Sequence, residues 1–480
     1  MKKLIIIIFI VFGAFLTFSL YRTYAYDTSV VEETPSTTDL EYTFKIGNSS
    51  IIQITVDSGE TKYYDVVLSN PNSAKISYGV YYEMVSPSTK PDGFSIEYTS
   101  KSTGESTGKV DKEGNITLNL VVTNTSSSSV TVKLGTVAGY VNGGDLELSN
   151  NQEFIPKKKF PKATELVESL NDNSTGDSGS GVYKVHHDAI PASSSATGEI
   201  IEATDDYRYY GSSPNNYICL DMEENSTCPD KHLYRIIGSI REDSDKKYKL
   251  KVIKATYLTD GITKNFVWDY NSSGGYSNDW AISTNGTYSN SLTKGSQLMK
   301  LLNSGAWWNG TSGVYYNGST TATTINFSNH NLSLLAKKYI EISRFYLGGT
   351  GTTFNTITSY LNERGNNGGN SFYWDGYVGL MYLSDYGYAY GNNCASNYTF
   401  AEYGLKNCTT SRWLSYLSAW TVSPDLNDSN NVIIANAQTI NIDGPSYTEA
   451  YVYPTFYLKP EVVITTGDGS EQNPYQISLS

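Results

Sequence analysis

Between residues 43 and 148 the chain alternates apolar and polar side chains with a period of two, and this pattern admits few folds. In "IIQITV" Ile52, Ile54 and Val56 share one face; in "YYDVVLSN" Tyr64, Val66 and Leu68 do so. "ISYGVYYEM" aligns Tyr78, Val80, Tyr82 and Met84. "ITLNLVV" and "VTVKL" repeat the pattern with Ile116, Leu118, Leu120 and Val122, then Val130, Val132 and Leu134. Successive side chains of a strand point to opposite sides, so each such segment has one dry and one wet face. Turn clusters at Asp57-Ser58-Gly59, Asn70-Pro71-Asn72 and Ser126 to Ser129 separate the runs. Alternating strands at short intervals predict an antiparallel sandwich of immunoglobulin-like size over residues 40–155. The stretch has no cysteine and no histidine, and it offers no catalytic constellation.

Residues 156–182 read as a linker. "PKKKFPK" gives way to a short helix in "ATELVESLND" and then to the flexible "NSTGDSGSGV". Lys157 to Lys159 with Lys162 form a solvated hinge. Residues 183–480 differ in character, because all seven tryptophans and all four cysteines lie there. Strand-like "LYRIIGSI" and "YKLKVIKAT" alternate with helix candidates. In "SQLMKLLN" Leu298, Leu301 and Leu302 share a face; in "LSLLAKKYIEISRFYL" Leu335, Tyr339, Ile342 and Tyr346 recur at helical spacing; "TFNTITSYLNE" is a third. Long Gly/Asn/Ser/Thr segments separate them, which predicts an α+β domain with long loops.

The N-terminus predicts export. Lys2 and Lys3 precede an apolar run from Leu4 to Leu20, and Thr23-x-Ala25 follows, so residues 1–25 read as a signal peptide cleaved after Ala25. The run is also close to bilayer-spanning length, so an uncleaved N-terminal anchor is the competing expectation. Cysteine usage agrees with an oxidising, extracellular compartment. Of the three possible pairings, Cys219 with Cys228 and Cys394 with Cys408 are the most economical. Each closes a short loop, worth about 3 kcal/mol in a chain-entropy account. The zinc alternative lacks C-x-x-C spacing, and of four histidines only His232 lies close to a cysteine pair. A net charge of −13 also excludes the basic surface that a nucleic-acid partner requires.

The strings "YRYYGSSPNNYICL", "LYRIIGSI", "KLKVIKA", "FVWDY", "VGLMYLSDYGYA", "RWLSYLSAWTVSP" and "YPTFYLKPEVVITTGDGSEQNPYQI" carry a family likeness. With "TKYYDVVLSNPNSAKISYGVYYEMVSPSTKPDGFSI" upstream, they resemble a family of secreted surface proteins from gut-type, Gram-positive-related bacteria, over most of residues 45–480. The C-terminal region of that family is similar to C-type-lectin-like domains, the fold of formylglycine-generating enzymes and variable receptor proteins. The resemblance implies that architecture and names no ligand. Leu233-Tyr234-Arg235 stands where the family usually has Trp-Arg. The R-x-G-G-S-W element of formylglycine-generating enzymes is missing, and Asn278-Asp279-Trp280 and Pro424-Asp425 do not reproduce a calcium-lectin arrangement.

Among acids near aromatics, Asp375, Asp385 and Asp425 are the candidates for glycosidase-type catalysis, which needs two carboxylates flanking a bond. Each sits in a turn-like context, and Ser384-Asp385 reads as a turn or helix N-cap. No G-x-S-x-G, phosphate loop or His-based metal spacing accompanies them, so no catalytic residue, metal or cofactor is expected. Asp468 and Glu471 in "GDGSEQNPY" are turn-capping residues before they are calcium ligands. Binding has more to work with. Trp307 and Trp308, with Tyr315 and Tyr316, sit in a loop of small polar residues where one Trp must point outward, as sugar stacking or partner anchoring requires. Tyr388 and Tyr390, with Tyr447, Tyr451 and Tyr453, form a second set. The expected function is non-enzymatic surface recognition or adhesion toward a glycan or protein ligand at the cell surface. The membrane is met only through residues 1–25 if they are retained. The alternatives are a cell-wall or polysaccharide hydrolase using Asp375 or Asp385, and a structural surface-layer component.

Overall fold

The computed structural model describes residues 43–46, 53–100, 108–140, 146–156, 160–171, 176, 178–222, 227–281, 291–366, 373–403, 408, 413–414, 418–428, 430–436, 440–444 and 449–479. Residues 1–25, Lys157 to Lys159 and Tyr447 lie outside them. The chain divides into two units, residues 1–159 and 160–480. It is predominantly β, with few helices and two disulfides.

The first unit is built from β1 (Thr43–Ile46), β2 (Gln53–Val56), β3 (Glu60–Asn70), β4 (Ile76–Ser86), β5 (Phe94–Ser100), β6 (Lys109–Val110), β7 (Gly114–Asn124), β8 (Val130–Tyr140) and β9 (Gln152–Phe154). One sheet runs β1–β3–β7–β5 and the other β2–β8–β4–β6, with β9 also on β4; every pairing is antiparallel. The period-two pattern dictates the packing. Ile116, Leu118, Leu120 and Val122 of β7 meet Val66 and Leu68 of β3, Tyr78, Val80 and Tyr82 of β4, and Val130, Val132 and Leu134 of β8 in one core. Two strands end on a buried asparagine that replaces the lost ladder partners. Asn124 Nδ2 donates to the carbonyls of Val56 and Ser128 while its Oδ1 accepts from the Ser126 N–H. Asn70 does the same with the carbonyls of Ala74 and Asp111 and the Asn72 N–H. These are Asx turns, so the turn clusters of the sequence are held by side chains and not only by backbone preference.

In the second unit β10 (Gly181–His187), β11 (Thr204–Tyr210), β12 (Tyr217–Cys219), β13 (Leu233–Glu242) and β14 (Lys247–Lys254) form the main sheet. β13 carries β14 along one edge and β11 and β12 along the other, and the sheet is extended by the strands Thr455–Tyr457, Tyr475–Leu479 and Val462–Thr466. A second sheet joins Asn265–Phe266, Ala450–Tyr451, Ala419–Pro424, Val432–Ala435 and Ile440–Asp443. A ribbon pairs Ser343–Tyr346 with Tyr373–Gly376. The helices are short: α1 (Ala163–Ser169), α2 (Gln297–Asn303), α3 (Ala306–Asn309), α4 (Leu334–Tyr339), α5 (Thr356–Glu363), α6 (Leu383–Tyr388) and α7 (Asn392–Asn397). Ser296, Ser333 and Asn355 cap α2, α4 and α5 by accepting first-turn N–H groups. Trp268, Trp280, Trp374 and Trp420 interlock in the core with ring centroids 5.2 to 6.2 Å apart.

Three expectations change. The stretch 156–182 is not a free linker throughout, because α1 docks on the second unit with Ala163 and Val167 in its core. The helix expected over "LSLLAKKYIEISRFYL" ends at Tyr339. Ile340 turns extended to bridge Leu458, and Ser343–Tyr346 pairs as a strand, so tertiary pairing overrides the helical spacing of Ile342 and Tyr346. The Trp307-Trp308 loop is the helical turn α3. Both expected disulfides form, Cys219–Cys228 and Cys394–Cys408.

All seven tryptophans lie in the second unit, so tryptophan fluorescence reports that unit and far-UV dichroism reports both. Leu118→Ala, in the middle of the sandwich core, is expected to destabilise the first unit by about 2–5 kcal/mol. The dichroism midpoint in urea should fall while the fluorescence midpoint stays in place.

Candidate functional site

The structure separates the aromatic residues into buried and accessible ones. Adjacent residues on a helical turn diverge by about 100°, so Trp307 goes into the core at 1% exposure while Trp308 stays half-buried at the surface. Trp307 Nε1 donates to the His330 carbonyl, and the Tyr315 hydroxyl donates to the Val267 carbonyl. Tyr388, Tyr390 and Tyr453 are buried as well. Burial makes Trp307, Tyr315, Tyr388 and Tyr390 packing residues; Trp308, Tyr316 and Tyr451 reach solvent in part.

Trp308 belongs to a surface strip that the sequence does not display as one. It stacks on Tyr377 at 5.0 Å and 21°, and the Lys337 ammonium sits 5.1 Å from its ring. Tyr373 and Asp375 alternate outward along the strand Tyr373–Gly376 and Tyr377 follows it; all three are part-exposed while Trp374, Gly376 and Val378 are buried. On the paired strand Arg344 grips Asp375 with two hydrogen bonds of 2.9 and 3.0 Å and lies 4.1 Å from the Tyr373 ring. The result is a half-exposed run of cation, two rings, an ion pair and a third ring: Lys337, Trp308, Tyr377, Asp375–Arg344, Tyr373.

Beneath the surface lies a lattice of charges. β11 points Asp206 and Arg208 inward, two residues apart and therefore on one face. Arg208 binds Asp206 through Nε and Nη2 at 3.2 and 2.8 Å and reaches Asp385 of α6 through Nη1 at 2.8 Å. Lys251 of β14 closes on the other Asp385 oxygen at 2.5 Å, and the Tyr382 N–H donates to that oxygen at 2.9 Å. His187 of β10 hydrogen-bonds Asp206 at 2.9 Å and stacks on Tyr360 at 3.7 Å; the Arg364 guanidinium lies 3.6 Å from the same ring. Burial alone would push Asp206 and Asp385 up. The facing cations outweigh it and hold both carboxyls below the usual range. Burial dominates for Lys251, which is pushed down to about 8, and for His187, which is held below its ordinary value despite Asp206. Burial raises Glu363, whose carboxylate accepts from the Ser384 N–H at 3.0 Å and from the Ser423 hydroxyl at 3.1 Å.

Asp385 is therefore neither an exposed turn residue nor an accessible acid. It sits in the first turn of α6, wholly buried, with two cations on it. Asp425 is buried beside Thr350 and accepts from the Asn427 N–H. His232 is fixed by the Asp221 carbonyl at Nδ1 and accepts the Ser333 N–H at Nε2, which occupies both ring nitrogens. Asp468 accepts the Ser470 N–H in the C-terminal turn. Among the described residues no group of three His, Cys, Asp or Glu side chains could hold a metal ion, and no helix is long and apolar enough to cross a membrane.

Sequence reasoning missed the lattice because "YKLKVIKAT" read only as strand-like and its partners lie far away in the chain. β14 is covered on both sides, so Lys249 and Lys251 are buried. The signal that would have found it is a strand alternating cations with aliphatics, in a chain where only 17% of residues are charged.

Arg208→Met leaves Asp206 without its guanidinium and is expected to cost about 3–5 kcal/mol, read as a lower urea midpoint in tryptophan fluorescence. His187 also sets an acid slope. As pH falls through 6.5 the unfolded chain takes up a proton that the buried ring refuses, so stability falls. That slope, measured between about pH 7.5 and 5.5, should be shallower in His187→Gln than in the wild type. The chain matches no protein-family profile, no curated protein and no solved structure.

Proposed function

We propose that the chain is a secreted or N-terminally anchored surface recognition protein of the family it resembles. In this reading the first unit is an immunoglobulin-like stalk, and the second is a C-type-lectin-like domain that binds a glycan or protein ligand at the cell surface. The observation that supports it best is the surface strip around Trp308. Planar rings held in place by stacking, with hydrogen-bonding charges between them, suit the flat apolar faces and ringed hydroxyls of a sugar chain. Because Tyr377 and Lys337 already fix the Trp308 ring, little side-chain entropy remains to be lost on binding. The two disulfides agree with an oxidising compartment.

The hydrolase alternative requires Asp375 or Asp385 as a working acid. Asp385 is sealed under two cations and Asp375 is gripped by Arg344, so neither supports that reading.

A glycan array probed with the purified full chain tests the proposal. Binding without turnover is expected, and Trp308→Ala should weaken it at least about tenfold, a loss of about 1.4 kcal/mol, with the far-UV dichroism of the folded chain retained. Cleavage of a bound polysaccharide would overturn the reading. Ordered self-assembly with no glycan or protein binding would favour a structural surface-layer role.

A further inference from the structure

Lys251 and Asp385 come from positions 134 residues apart and meet inside the second unit. Lys251 Nζ lies 2.5 Å from Asp385 Oδ2, with both side chains at 0% exposure. Nζ and Oδ2 are in direct contact, at the short end of ammonium–carboxylate distances. The surroundings are aromatic: Nζ is 3.9 Å from the centre of the Tyr382 ring and 5.4 Å from that of Tyr457. Two charges in such a place are expensive to keep. One reaction removes both charges and leaves Asp206 and Arg208 to balance each other, with loss of the Oδ2 that accepts the Tyr382 N–H.

We propose that Lys251 and Asp385 are joined in the folded protein by an intramolecular amide bond, formed by loss of water between Nζ and Cγ. A proton passes from Nζ to Oδ2 along the short contact and leaves a neutral amine beside a carboxylic acid. Burial, which lowers Lys251 to about 8, eases the loss of that proton, while the cations that hold the Asp385 carboxyl low make the neutral pair a minor, transient form. The Nζ lone pair attacks Cγ, to which the 2.5 Å contact holds it close. Negative charge develops on Oδ1, where Arg208 Nη1 stands at 2.8 Å to stabilise it. In the tetrahedral adduct Nζ passes a second proton to Oδ2, the Cγ–Oδ2 bond breaks, and Oδ2 leaves as water. Three hydrogens on the ammonium are thus accounted for, one on the amide nitrogen and two in the water. No oxidant, reductant or co-reactant is needed. The enclosed, dry setting opposes the reverse hydrolysis.

The bond is a modification site that the recognition role does not require, and its test is independent of any ligand. Purified full-length protein is reduced, denatured and weighed intact, then digested with trypsin. The expected mass is that of the mature chain less one water. Trypsin should fail to cut after Lys251, and a branched peptide should join that lysine to the segment containing Asp385. Lys251→Arg and Asp385→Ala should each restore the full mass. If either variant fails to fold, the wild-type digest decides alone. Full wild-type mass, with separate linear peptides ending at Lys251 and spanning Asp385, would show an ion pair only and overturn the proposal.

Discussion

A charge withdrawn from water must meet its opposite, and that requirement organises the second unit around Arg208. One guanidinium joins Asp206 on its own strand to Asp385 on α6, and Asp385 in turn fixes Lys251 on β14. Three elements distant in sequence are thereby held in one register. A slip of one residue in β11 would turn both charges to the wrong face. Apolar packing tolerates small displacements more readily than such a lattice does. The lattice therefore contributes uniqueness of arrangement as much as stability, while the interlocked tryptophans sit within the large apolar core.

The two halves of the chain were unequally legible from sequence. In the sandwich, alternation and turn chemistry spoke with one voice, and Ile116 to Val122 fall where a period of two puts them. In the second unit the elements are short, so tertiary pairing decides between helix and strand. Ser343–Tyr346 shows this: helical spacing suggested one continuation, and the ladder to Tyr373–Gly376 imposed another. The local cysteine pairs were readable because short loops leave few alternatives. The lattice left one trace, the alternation of lysines with aliphatics along β14, but its pairings were not readable, since Lys251 and Asp385 are brought together only by the fold. The surface strip was half legible. Trp308 was visible as one of a pair, but its partner Tyr377 came from a segment noticed for its acids.

Surface and interior are linked by the ribbon that carries Asp375. Its outward residues form the strip around Trp308, and its inward Trp374 packs on Trp280 and Phe345 in the core. The opposite strand is tied inward too, because the Tyr346 N–H donates to the Tyr382 hydroxyl and the Arg344 N–H to Glu242. The exposed rings therefore stand on a ribbon anchored at several points, which limits how far they can shift when something presses on them.

The sandwich treats its borders differently from its interior. Its long strands β3, β4, β7 and β8 are central; among the described residues the outermost strands β1 and β2 have four residues each and β6 and β9 two and three, while β5 presents a seven-residue border on which the Pro156 carbonyl takes the Tyr98 N–H. Along the four short borders a neighbouring molecule finds few contiguous N–H and C=O groups to zip onto, and β5 is the one extended border among the described residues. Copies crowded side by side thus have one main border, that of β5, along which they could merge into a shared sheet.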